Sequence, residues 1–106
     1  MRDYQMYKKF KLILENRTLC LLSREKRVEH KKFLGMFNYC VSSMKEEYRF
    51  ILMNSYIQVS YQFWWLDYYC KSSYYRKRFR AVASFLALFE MIYENFNDNP
   101  IYLAYA

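Results

Sequence analysis

Glycine and proline are almost missing from this chain: Gly35 and Pro100 are the only ones in 106 residues. Hairpins and barrels need glycine-rich turns, so a many-stranded fold is disfavoured and long helices are expected. Soft metal ligands are equally scarce. One histidine and three cysteines without a CxxC pair do not make a closed zinc site. Cys20, Cys40 and Cys70 read instead as small apolar fillers in a reducing cytoplasm. No uninterrupted apolar run approaches the ~18 residues of a membrane span, so no membrane partner is expected. The stretch from Met1 to Glu15 is charged throughout and does not look like a signal peptide. A single glycine cannot build a phosphate-binding loop, and H-E-x-x-H, G-x-S-x-G and Asp/Glu metal clusters are all absent. The sequence therefore points away from an enzyme and calls for no metal or cofactor.

What the chain has in abundance is aromatic side chains, 13 Tyr and 9 Phe among them. With 55% hydrophobic residues, intrinsic disorder is excluded and one domain with a sizeable core is expected. Hydrophobic periodicity divides the chain into five helices, an all-α bundle. The first spans about residues 3–22, with Met6/Tyr7, Phe10, Ile13/Leu14 and Leu21 at helical spacing. Ser23 is the expected N-cap of a second helix over about 24–41, whose apolar side is Val28, Phe33, Met36/Phe37 and Cys40/Val41. Gly35 lies inside it and marks either a close helix–helix contact or a kink.

Ser43-Met44-Lys45-Glu46 fits a capping box opening a third helix, about 44–57, that buries Tyr48, Ile51 and Leu52. A short fourth helix, about 61–69, turns Trp64 and Trp65 inward. Ser72 or Ser73 then caps the fifth and longest, about 73–96, with the stripe Tyr75, Phe79, Val82, Leu86, Phe89, Tyr93 and Phe96. Residues 1–42 thus form a helical pair, 43–96 a second unit, and 97–106 a tail with Ile101, Tyr102, Leu103 and Tyr105.

The net charge of +7 favours an anionic partner. The positive charge is unevenly placed. Between Cys70 and Phe89 stand Lys71, Arg76, Lys77, Arg78 and Arg80, with no carboxylate. At about 100° per residue, the predicted stripe turns Ser73, Lys77 and Arg80 outward. Tyr74 and Arg76 fall on the flanks of that face, and Arg78 near its edge. A short aromatic helix, a turn and a basic helix is how a helix-turn-helix offers a recognition helix to DNA. A second basic cluster, Arg24, Lys26, Arg27, Lys31 and Lys32, alternates with Glu25 and Glu29. It reads as i,i+4 helix stabilisation, with His30 exposed beside it.

The segment YRFILMNSYI…YQFWWLDYYCKSSYYRKRFRAVASFL resembles the C-terminal helix-turn-helix, region four, of sigma factors. It is more similar to small sigma-like regulators of Gram-positive phages and mycoplasmas, the ArpU/RinA type. The matching residues are Arg49, Ile51 and Leu52, then Trp64 and Trp65, then Ser72, Tyr74, Tyr75, Arg76 and Ala81. The resemblance covers roughly residues 44–89 and implies a transcriptional regulator with the fifth helix in the major groove of DNA. Lys71, Ser72, Ser73, Tyr74, Arg76, Lys77, Arg78 and Arg80 would then face phosphates or base edges. No counterpart of a promoter-melting region is present, so an accessory regulator fits better than a complete sigma factor. The first two helices are left to cap this unit, to form a homodimer interface or to touch RNA polymerase. A different class of function rests on the excess of aromatics: a helical interaction or assembly module with no nucleic-acid role.

Overall fold

The computed structural model describes residues 3–25, 27–58 and 61–94, and every regular element among them is helical. Four α-helices are present: α1 (Asp3–Leu22), α2 (Val28–Ser42), α3 (Glu46–Leu52) and α4 (Lys71–Glu94). Helix α3 runs directly into a π-helical turn, Met53–Ile57, and a 3-10 turn, Trp64–Asp67, precedes α4. The expected tail, residues 97–106, and Phe96 lie outside the described residues.

Helix α1 has the limits its periodicity predicts. Met6, Phe10 and Cys20 turn into the core, and Ile13 and Leu14 pack against it, while Leu21 is exposed. The second helix starts four residues later than expected. Ser23 does not cap it: the Ser23 hydroxyl donates to the Glu25 carbonyl, and Arg27, in extended backbone, takes the N-cap position. The chain bends at Arg24 and Glu25, Val28 is exposed, and Glu25 pairs with Arg27 across two residues rather than along a helix face. His30, expected on the surface, is half-buried with Nδ1 near the Glu25 carbonyl. Gly35 is buried in a continuous α2, which favours close packing over a kink.

The capping box does not form. Helix α2 continues through Ser42, and the Ser43 N–H is used by the carbonyls of Tyr39 and Cys40. Ser43 thus closes α2, Met44 is buried behind it, and Lys45 opens α3 without a side-chain cap. The ladder of the preceding helix has consumed the donor and the position that the box required. Beyond Leu52 the hydrogen-bond step widens, the Gln58 N–H reaching Met53 O at 2.6 Å. The predicted single helix over 44–57 is therefore an α segment followed by a π turn.

The predicted fourth helix is a 3-10 turn of four residues, which makes four α-helices rather than five among the described residues. Phe63 leads into it with φ 61° and ψ 24°, a left-handed conformation. Two adjacent tryptophans are both buried here, and their surroundings differ. Trp64 meets Phe50 edge-on with ring centres 5.3 Å apart, and Trp65 stacks flat on Tyr74 at 4.6 Å. Adjacent side chains on a 3-10 turn diverge by about 120°, so the two rings enter the core in different directions, Trp64 against Phe50 of α3 and Trp65 against Tyr74 of α4.

Helix α4 touches each of α1, α2 and α3 and supplies the centre of the core. Its buried positions are Tyr74, Ala81, Val82, Phe85, Leu86, Phe89 and Ile92. Val82, Leu86 and Phe89 agree with the predicted stripe. Tyr75 and Tyr93 do not, being 40% and 61% exposed, and Phe79 is only half-buried against Tyr7. At 100° per residue the buried face is rotated by roughly 60° from the expected one. Phe85 stands at its middle, fully buried, with ring centres 5.3 Å from Phe10, 5.1 Å from Phe37 and 5.7 Å from Phe89.

Candidate nucleic-acid interface

The rotation of α4 decides what happens to its cations. The helix begins two residues before the expected start, the Cys70 carbonyl accepting the Tyr74 N–H at 2.9 Å. Cys70, not Ser72 or Ser73, is the capping residue. Its exposed thiol takes the Ser73 N–H and lies 3.6 Å from the Ser72 hydroxyl. These donors, the Ser73 amide first, stabilise the thiolate and hold its pKa below the usual thiol value. Cys70 is therefore no apolar filler, whereas burial raises the thiols of Cys20 and Cys40, the latter to about 12. Ser72 is exposed and Ser73 half-buried beside it.

Tyr74, expected on the flank of the outward face, is 3% exposed. Its ring lies parallel to Trp65, and its hydroxyl is 2.7 Å from Ser55 Oγ on the π turn. This residue fastens α4 to the two irregular turns and is not available to a ligand. Lys77 is expected to point outward, within a run of sequence that holds no carboxylate. Instead its Nζ is 2.9 Å from Glu47 Oε1 on α3, and it lies over the Tyr69 ring at 5.1 Å. The pair lowers the pKa of Glu47 and raises that of Lys77, their hydrogen bond being the main cause in each case.

Arg78 also leaves the outward face. Its guanidinium carbon is 5.4 Å from the Tyr7 ring centre, 5.7 Å from Tyr74 and 4.8 Å from Tyr75. The side chain is half-buried, and its Nε is shielded without a hydrogen-bond partner among the described residues. Tyr74 and Tyr75 stand four and three residues before Arg78, a spacing that brings side chains together on any helix. That spacing was a signal available in the sequence.

Lys71, Arg76 and Arg80 are what remain outward. All three are exposed, and none is in an ion pair among the described residues. Arg76 and Arg80 are four residues apart and share one face of the helix. Beside this end of the molecule, the Trp65 ring is flanked by Phe63 at 6.1 Å and Tyr75 at 5.8 Å. Both flanking rings are exposed, a surface pairing the sequence reading missed.

Among the described residues no three His, Cys, Asp or Glu side chains come together as a metal site. No helix among them is long and apolar enough to cross a membrane. Comparison with known proteins returns nothing: no family model, no curated protein and no solved structure matches this chain.

Proposed function

We propose that this protein binds DNA through the N-terminal half of α4, with Arg76 and Arg80 as the principal contacts, and acts as a transcriptional regulator. What carries the reading is the pair of exposed arginines on one helical face, without carboxylate partners among the described residues. Lys71 and the Ser72 hydroxyl stand at the start of the same helix, where phosphate contacts are favourable. The net charge of +7 supplies the long-range attraction. Lys77, Arg78 and Tyr74 take a different part from the one their sequence positions suggest: they fix α4 against α3, α1 and the 3-10 turn. In this reading α4 is the recognition helix of a helix-turn-helix whose first helix is reduced to the turn Trp64–Asp67.

The test is fluorescence anisotropy with random and genomic DNA fragments at two salt concentrations. Affinity should fall steeply with salt through counterion release. Arg76→Ala or Arg80→Ala should cost about 1–3 kcal/mol at one base pair if the contact is bidentate to guanine. A folded double variant that binds its best DNA as tightly as wild type would overturn the proposal.

A second reading has its own observation. The outer face of α1 leaves Tyr4, Leu12, Leu19 and Leu22 more than half exposed, as a surface for a partner protein or a second copy would be. Such an interface should respond weakly to salt, and sedimentation analysis would register a dimer directly.

A further inference from the structure

Away from α4, the C-terminal halves of α1 and α2 meet α3 and the π turn around a cleft of about 560 Å³. That is within the range of roughly 300–1,000 Å³ typical of small-molecule sites. Two arginines face it, Arg17 from α1 and Arg49 from α3. The rest of its wall is largely apolar, with Phe37, Phe50, Met53 and Ile57. Glu46 is the one carboxylate among the described lining residues, which together carry an excess of positive charge.

Neither arginine is in an ion pair among the described residues. Arg17 lies over the Phe37 ring at 5.2 Å, and its Nε is shielded from solvent with no hydrogen-bond partner among the described residues. A shielded guanidinium N–H without an acceptor is costly, and the cost disappears when an anion arrives. Among the described residues Arg49 makes one hydrogen-bond contact, a long one from Nη1 to the Ser42 carbonyl at 3.4 Å. One wall is the π turn, an element that recurs at functional sites because it displaces side chains from their α-helical positions.

We propose that this cleft binds a small amphipathic carboxylate. Arg17 and Arg49 hold the carboxylate head, and the apolar body lies against Phe37, Phe50, Met53 and Ile57. Guanidinium suits this task because its planar fork matches a carboxylate and its flat face tolerates an aromatic neighbour. A bare phosphate would leave the apolar wall unused, and a neutral alcohol would leave the guanidinium groups unanswered. The site shares no residue with the α4 face, so it stands or falls independently of DNA binding.

Calorimetric titration of the full chain with octanoate tests the proposal, with octanol and inorganic phosphate as comparison ligands. Saturable octanoate binding is expected, with octanol at least about tenfold weaker, a difference of about 1.4 kcal/mol. Arg17→Met and Arg49→Met, which keep apolar bulk, should each weaken octanoate about tenfold or more. Arg80→Ala, on α4, should leave it unchanged. No saturable binding, octanol matching octanoate, phosphate displacing octanoate at equal concentration, or wild-type affinity in a folded Arg49→Met variant would each overturn it. Should Arg17→Met unfold because it loses its stacking on Phe37, the half-buried Arg49 decides the matter alone.

Discussion

A guanidinium enclosed by phenol rings exchanges part of its hydration for the negative faces of the rings, and Arg78 has made that exchange with Tyr7, Tyr74 and Tyr75. The contact ties α1 to α4 through a charge rather than through an aliphatic side chain. Arg78→Met keeps the bulk and removes the cation, so it should destabilise by about 1–2 kcal/mol in urea unfolding. No change in the midpoint would show that the rings hold the stem and not the charge. At Cys70 the expected outcome is chemical. The thiolate is the nucleophile, and its pKa is lowered by the Ser73 amide and then the Ser72 hydroxyl, while Cys20 and Cys40 are shifted upward by burial. At neutral pH iodoacetamide should modify Cys70 first, at a rate that rises with pH and levels off below the usual thiol value. Peptide mapping after brief exposure checks this, and early labelling of Cys20 or Cys40 would contradict it.

At the scale of elements, the long helices were legible and the short ones were not. Helix α1 was readable to its ends because Met6, Phe10 and the Ile13–Leu14 pair recur at one spacing over a long stretch. In α4 the same method had to choose between adjacent aromatics, and neither Tyr74 nor Tyr75 is distinguishable by hydropathy. Tertiary partners decided it: Trp65 and Ser55 take Tyr74, and the stripe turns with it. The consequence is measurable. Phe85→Ala should cost about 3–5 kcal/mol, whereas Phe79→Ala, at a half-buried site, should cost clearly less. A larger loss at Phe79 than at Phe85 would restore the original phase. The α3–α4 contact adds a pH dependence. Glu47 has a lowered pKa in the fold because of Lys77, so the pair stabilises above the unfolded-state value and is lost as pH falls through the lowered one. Lys77→Met should therefore flatten the acid limb of a melting-temperature profile and also its far alkaline limb, where the pair is lost as pH rises through the raised Lys77 pKa. An unaltered acid limb would mean that the pair contributes nothing.

For the molecule as a whole, the excess of positive charge was legible and its distribution was not. Sequence showed an acid-free run from Cys70 to Phe89, and this is correct along the chain. In space Glu47 arrives from α3 and neutralises Lys77, a pairing no local window contains. The candidate DNA face is therefore narrower than the eight residues first expected from 71 to 80. Its salt dependence should be modest in proportion: removing Arg76 and Arg80 together should lower the slope by about two phosphates, whereas removing Lys77 should leave it nearly unchanged. A Lys77→Ala variant with the larger loss would return Lys77 to the interface. The left-handed Phe63 has a further consequence, one that belongs to the chain's mutational landscape. Among the described residues it is the single non-glycine position with positive φ, in a sequence whose only glycine sits in a helix. Glycine should be depleted through every helix of a variant library selected for heat survival, and enriched at position 63, where it relieves about 1 kcal/mol of backbone cost. A parallel selection for DNA binding should retain an aromatic there if the ring, 53% exposed beside Trp65, meets the nucleic acid. Divergence of the two enrichment profiles at this one codon would mark a site where selection has favoured activity over stability.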